Sequence, residues 1–336
     1  MKKILIIMLM LAFLASPSFA VLTYGVNFYD KNVRTAFSKS DNDPLRGFIG
    51  EVESLIVNGT GSVFYVDSNV ASEGDGSTWA KAKDTIDEAI GLCTASNGDI
   101  IYVAQGHAES IASATGLVCD VAGVSIIGIG NGSLIPTLSL GTATTAKISV
   151  TAANVRLSHL KIISALADVA EGIDPTADAD GLVVDNCIFT DGAVALELVI
   201  GINVTADCDN ITIVNNKFST VAAGGCANAI VLAGGSDNSV IAGNTAYGTY
   251  SAGTLLASAA LSVNLTVTDN IFVTTAVVAA VTLKADTTGV YARNFAGSTT
   301  TILLTVINYD AMYCWENYDT SAPGASGVIN PIIDSD

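Results

Sequence analysis

The chain has 336 residues, a formal charge of −18 and only 14% charged residues, with a mean hydropathy of +0.51. An acidic surface poor in Lys and Arg argues against nucleic acid and anionic membranes as partners. Residues 1–20 are read as a secretory signal peptide. Met1-Lys2-Lys3 is a basic start, Ile4–Ala15 is apolar, and Ser18-Phe19-Ala20 is a small-x-small cleavage site. The apolar run of 12 is too short to span a membrane, and no second long run follows. No membrane span is therefore expected in the mature chain, and cleavage would remove Lys2 and Lys3 and take the charge to −20. The expected location is outside the cytoplasm: secreted, on the cell surface or periplasmic.

Residues 21–62 carry no repeat and are read as an N-terminal arm or cap. Phe64–Asp67 reads as a short strand and Asn69–Ser77 as a Gly/Ser/Asp loop. Ser77 or Thr78 can cap a helix running from Trp79 to Cys93, since Ile86, Ala89, Ile90 and Cys93 make one apolar face. Asn97-Gly98-Asp99 turns the chain into Ile100–Ala104, the first of many short strands.

A repeat then takes over. Gly172–Thr190 (GIDPTADADGLVVDNCIFT) aligns with Gly201–Ser219 (GINVTADCDNITIVNNKFS) 29 residues later, with eight of 19 positions identical. Weaker copies occur at Asn154–Ile162, Asn238–Ala246, Asn264–Phe272 and Thr288–Ala296. Stacked on Ile213, one column reads Leu157, Val184, Ile213, Ile241, Val267, Tyr291, and alternation with β-branched neighbours marks a strand with one buried face. Three residues on, the column is Leu160, Cys187, Asn216, Asn244, Asn270, Asn294. The four asparagines are expected to point inward as a ladder that satisfies buried polar groups. Two residues further, Ile162, Phe189, Phe218, Ala246, Phe272 and Ala296 read as an internal stack.

The ladder spacings of 27, 29, 28, 26 and 24 suit coils of varying length. Only a parallel coil keeps every column in register, and a propeller blade needs a longer repeat. The expected fold is all-β: a single-stranded right-handed parallel β-helix over residues 63–318, with a short N-terminal capping helix. Residues 319–336 are read as a tail, with Trp315 and Tyr318 plugging the last coil.

The entry segment FYVDSNVASEGDGSTWAKAKDTIDEAIGLCTASNGDIIYVAQG (64–106) resembles that of pectate-lyase-like right-handed β-helix proteins. GVSIIGIGNG (123–132) and VVDNCIF (183–189) resemble coils of the same superfamily. The resemblance implies a fold. Its members include lyases, hydrolases, phage tail spikes and adhesins, so it implies no single activity.

Chemistry is sparser. A β-helix lyase needs a cation and a basic side chain, and the candidate bases are Lys147, Arg156, Lys161, Lys217, Lys284 and Arg293. They fall in different columns, except that Lys161 and Lys217 share one, two rungs apart. His107 and Glu109 form a His/carboxylate pair suited to acid–base work or to structure. His159 lies at the turn before the ladder. Six cysteines, Cys93, Cys119, Cys187, Cys208, Cys226 and Cys314, allow 15 disulfide connectivities in an exported protein, and Cys187, in the inward column, reads as a buried thiol.

Aspartates make the one constellation. Asp180, Asp209 and Asp237 are equivalent in the repeat, as are Asp178 and Asp207, with Asp174 beside them. Stacked carboxylates can hold calcium, which takes several oxygens from a flexible turn. They can instead bond local backbone, as Asp does in turns. They can also form a glycosidase acid–base pair. Asp178, Asp180, Asp207, Asp209 and Asp237 are thus candidate calcium ligands, and Asp180, Asp209 and Asp237 weak catalytic candidates. Calcium is the only cofactor suggested. The preferred function is a secreted, non-catalytic β-helix for surface attachment or assembly that contacts glycans. The alternative is a polysaccharide lyase or glycoside hydrolase. Partners expected are a polysaccharide or cell-surface glycan and further copies of the chain, as in trimeric tail spikes.

Overall fold

A computed structural model describes residues 61–221, 225–298, 305–306, 311–321 and 330–331. The expected signal peptide and nearly all of the arm lie outside the described residues, as does most of the tail. From Val63 onward the chain winds through three parallel sheets. The first has ten strands and runs from Val63–Val66 to Met312–Trp315; the second also has ten, and the third has eight. Each coil contributes one strand to each sheet in turn, as in Thr212–Val214, Lys217–Ser219 and Asn228–Leu232.

The sequence columns become Cα registers. Leu157, Val184, Ile213, Ile241, Val267 and Tyr291 pair in succession along the first sheet, and all six are buried. The second stack pairs likewise from Ile162 to Ala296. Phe189 and Phe218 lie face to face within it, with centroids 4.6 Å apart and planes 11° apart. Gly201 lets the third sheet close on this stack. A Cβ there would come within 2.9 Å of the Phe218 ring and 2.6 Å of the Ala229 carbonyl.

From the strand Arg156–Ser158 onward, the sharp corner between the first and second sheets is the same on each rung. His159, Asn186, Asn215, Gly243, Asp269, Arg293 and Glu316 all take positive φ there, between 52° and 65°. Asn and Asp tolerate this left-handed region best among side-chain-bearing residues, which explains the repeated polar residue before the ladder. The next residue turns inward. Asn216, Asn244, Asn270 and Asn294 are at most 2% exposed, and each Nδ2 donates to the Oδ1 above at 3.0–3.2 Å. The last of these acceptors is Asn317, a fifth rung at a spacing of 23 residues. Cys187 closes the ladder at the other end, its backbone N–H donating to Asn216 Oδ1 at 2.8 Å.

The capping helix is shorter than the sequence predicts. It covers Ile86–Ile90, with a separate 3₁₀ turn at Trp79–Lys81. The cap is Thr85, in a capping box with Glu88, not Ser77 or Thr78. Between the two turns, Lys83 runs extended beside the first strand, donating its N–H to Tyr65 O and accepting from Asp67 N, both at 2.9 Å. Backbone pairing with an open sheet edge wins over helix propensity here. The apolar face is as expected: Ile86, Ala89 and Ile90 are buried. They pack on the strands Val63–Val66, Ile100–Val103 and Leu117–Cys119.

At the other end, Trp315 and Tyr318 do not plug the last coil. They are 42% and 46% exposed, because strand alternation turns Cys314 and Asn317 inward instead. The strand Tyr318–Ser321 pairs with Phe295–Ser298, and Asn330–Pro331 returns antiparallel to it.

Candidate functional site

The aspartates do stack rung on rung, and each spends an oxygen on the coil above. Asp180 Oδ1 accepts from Asp209 N (2.8 Å), Asp209 Oδ1 from Asp237 N (2.9 Å), and Asp237 Oδ1 from Val263 N (2.6 Å). This satisfies the edge of the turn that leads into the first sheet. Asp178 and Asp207 are exposed in the preceding loops. Among the described residues no group of three or more His, Cys, Asp or Glu side chains is gathered as metal ligands.

Lys147, on the outer side of the third sheet, is bound by two carboxylates. Its Nζ donates to Glu171 Oε1 at 2.7 Å and to Asp174 Oδ2 at 2.5 Å. Asn203 Nδ2 donates to Glu171 Oε2 at 2.7 Å, and Thr205 Oγ1 to Asp174 Oδ1 at 3.4 Å. Burial works to lower the lysine's pKa, but its bonds to Asp174 and Glu171 outweigh that and hold it above the usual range. A proton-abstracting base must shed its proton near the working pH, and this one is held charged.

Arg156 is tied down in the same way. Its Nε and Nη2 donate to the two oxygens of Asp185 at 2.7 and 2.9 Å. Ser158 Oγ and Asn186 Nδ2 also donate to Asp185 Oδ2. The Asp185 bond raises the guanidinium further against a smaller effect of burial. Burial alone would raise the Asp185 carboxyl, but the Arg156, Ser158 and Asn186 donors bring it below its ordinary value. Arg293 is likewise forked onto Asp269 at 2.7 Å through both nitrogens. Lys161 and Lys217 sit in one outward column on either side of Ile188, as the repeat predicts.

His107 and Glu109 are buried and 3.1 Å apart, Nε2 to Oε2. The His107 ring also accepts Ser68 N–H at Nδ1, at 3.0 Å. Since Nδ1 is an acceptor, the proton must be on Nε2 and the ring donates to Glu109. Glu109 Oε2 also accepts the first helical N–H, from Ile86, at 3.1 Å. The pair fastens the loop, the helix and the first coil together. His159 reaches Gly130 O through Nε2 at 2.5 Å, from its left-handed corner position.

None of the six cysteines, all among the described residues, is in a disulfide. Cys187 is buried, and desolvation pushes its pKa up to about 12, as expected of a structural thiol. A cluster absent from the sequence reading lies between the second and third sheets: Asp191, Cys226 and Tyr250, beside Phe189 and Phe218. Asp191 accepts from Leu198 N at 3.0 Å and Val221 N at 2.9 Å, and the Cys226 thiol lies 3.3 Å from its Oδ1. Burial lifts Cys226 to about 12 and raises the Tyr250 phenol. A nucleophilic thiol needs the opposite shift. The free volume beside them, about 10 Å³, has room for no more than a single water.

The outer faces offer more. On the first sheet, Thr212, Val240, Thr266 and Val290 form one outward column and Val214, Ala242 and Thr268 the next, which leads to a buried Ala292. Neither carries a charge. On the second sheet the column Lys217, Thr245, Ile271, Phe295, Tyr318 ends in three large exposed apolar side chains. Strand alternation turns these three outward, and the order of the coils gathers them at one end.

Three parallel sheets joined by short turns, with an inward asparagine ladder, define a parallel β-solenoid. Residues 147–303 match the family described as right handed beta helix region. The fold is a parallel β-solenoid, and the matched stretch, a little under half of the chain, is similar to right-handed β-helix regions. No curated protein and no solved structure matches the chain. No helix among the described residues is long and apolar enough to cross a membrane.

Proposed function

We propose that the protein is a secreted, non-catalytic β-helix that serves surface attachment or assembly through contact with glycans. One observation carries the non-catalytic half. Lys147, Arg156 and Arg293 are locked to carboxylates, and Asp180, Asp209 and Asp237 spend oxygens on backbone. A lyase or hydrolase needs side chains that can exchange protons with a substrate; three of the six candidate bases, and one oxygen of each aspartate, are committed to the coil instead. The assembly half rests on the uncharged outer strip of the first sheet. Flat strand faces without charge are usually covered or avoided. Self-association of a strongly acidic chain needs such a strip, and a trimer around it is the proposed form. The test is a screen of acidic and neutral polysaccharides, with and without calcium, for reducing ends and unsaturated products. No turnover is expected. Turnover abolished by Asp209→Asn in a folded protein would reverse the proposal.

A further inference from the structure

Six aromatic side chains are strongly exposed among the described residues, and five of them, Tyr247, Phe295, Tyr313, Trp315 and Tyr318, lie on the last four coils. The sixth, Trp79, is at the opposite end. On the second sheet, Ile271, Phe295 and Tyr318 are direct neighbours on successive rungs, 48%, 37% and 46% exposed. Tyr247, Val273 and Gly297 run beside them, and Tyr247 is 61% exposed. A Cβ at Gly297 would meet Val273 at 3.2 Å and the Phe295 ring at 3.4 Å. A side chain at 297 would therefore crowd the Phe295 ring.

We infer that this face binds a neutral polysaccharide chain laid along the coil axis. The inference rests on the glycan-contacting function proposed above and adds the place and the ligand class. The C–H bonds on one face of a pyranose carry partial positive charge and stack on the negative face of an aromatic ring. Rungs about 4.8 Å apart present successive side chains at nearly the repeat of an extended sugar chain. Charge selects the class. The protein carries −18 overall, Lys217 is the last cation of the column, and Arg293 at the adjoining corner is forked onto Asp269. Among the described residues, nothing on these rungs of the face neutralises a uronate or a sulfate. Size argues against a protein partner. Four coils span about 14 Å and a four-residue strand about 13 Å, so the strip covers roughly 200 Å², well short of the roughly 800 Å² per partner of a stable protein interface.

The test uses the mature chain in pull-down on cellulose, xylan and mannan, and in affinity electrophoresis with soluble neutral glucans, polygalacturonate and alginate. Tyr318→Ala, Phe295→Ala and Tyr247→Ala are compared with Trp79→Ala at the far end, with melting curves to verify folding. Sedimentation is run on the wild type and each variant. The expected result is binding to at least one neutral polymer, weakened roughly tenfold or more by each of the three substitutions and unchanged by Trp79→Ala. If Tyr318→Ala or Phe295→Ala fails to fold, Tyr247→Ala, whose side chain is the most exposed of the column pair, decides alone. Binding only to acidic polymers overturns the inference. So does neutral-polymer binding that folded variants keep in full, which leaves the glycan-contacting function standing. A self-associated wild type that the same substitutions turn into monomers also overturns it, by making the face a contact between copies. No binding to any polymer removes the glycan-contacting function and the inference together.

Discussion

Asn244 is saturated. Its Oδ1 accepts from both the N and Nδ2 of Asn216, and its Nδ2 donates to Ile213 O and Asn270 Oδ1. Asn244→Leu keeps the volume and strands donors below and acceptors on both sides. A buried group left unpaired costs about 1–3 kcal/mol, so denaturant unfolding should show a loss of at least that size. Asp185 gives a second, pH-dependent outcome. Its carboxyl sits below the ordinary range when folded, so its contribution is complete above an unfolded value near about 3.9 and is lost as pH falls through the folded one. Asp185→Asn should therefore destabilise clearly at pH 7, and the gap to wild type should close in acid. An unchanged gap at low pH would mean that Asp185 acts through shape alone. At the aspartate column, melting with millimolar calcium and with chelator should give the same midpoint, since backbone N–H groups already occupy one oxygen of each carboxylate.

The elements that sequence made legible are those whose reason is periodic. Ile213, Asn216 and Phe218 recur with their partners at every rung, and alternation alone says which side is buried. Asn317 is hidden because the coil shortens to 23 residues and Cys314 and Asp319 stand where the two apolar columns would continue. The capping helix was overdrawn because its apolar face is real but short, and a sheet edge claims Lys83. The ion pairs were invisible for a different reason: Lys147 meets Glu171 and Asp174 across 24 and 27 residues, one coil away, where no local pattern points. The same applies to the His107–Glu109 fastening, whose partners Ser68 and Ile86 come from separate elements. Glu109→Gln keeps the shape and removes the charge that receives both the His107 proton and the Ile86 N–H. Hydrogen exchange should then quicken at Ile86–Ile90. It should quicken also at Val118, whose N–H Asp87 accepts at 3.0 Å, while the coils beyond Val150 keep their protection.

At the scale of the molecule, two long faces stand out: on the first sheet an uncharged strip that runs into Tyr313 and Trp315, and on the second the end formed by Ile271, Phe295 and Tyr318. If the uncharged strip joins copies, Val240→Lys should break the assembly, because it puts a charge into a column shared with Thr212 and Thr266. Sedimentation velocity at high concentration reads this directly, and a wild type that is monomeric there would leave the strip without a partner. The ladder has a further consequence. Thr212 and Val240 stand in register on successive rungs, and so do the ladder residues above Cys187. Excising residues 212–239 joins Ile211 to Val240, presents Asn244 to the Cys187 N–H where Asn216 stood, and passes the corner from Asn186 to Gly243. The molecule is then a stack from which one whole turn can be lifted with the register of the others kept, at the loss of the Phe189–Phe218 stack and of the Val221 N–H to Asp191 bond. A folded protein shorter by one coil, and not a misfolded one, should result. Cutting one residue more or fewer at this site would turn the side chains of the following strand to the wrong face.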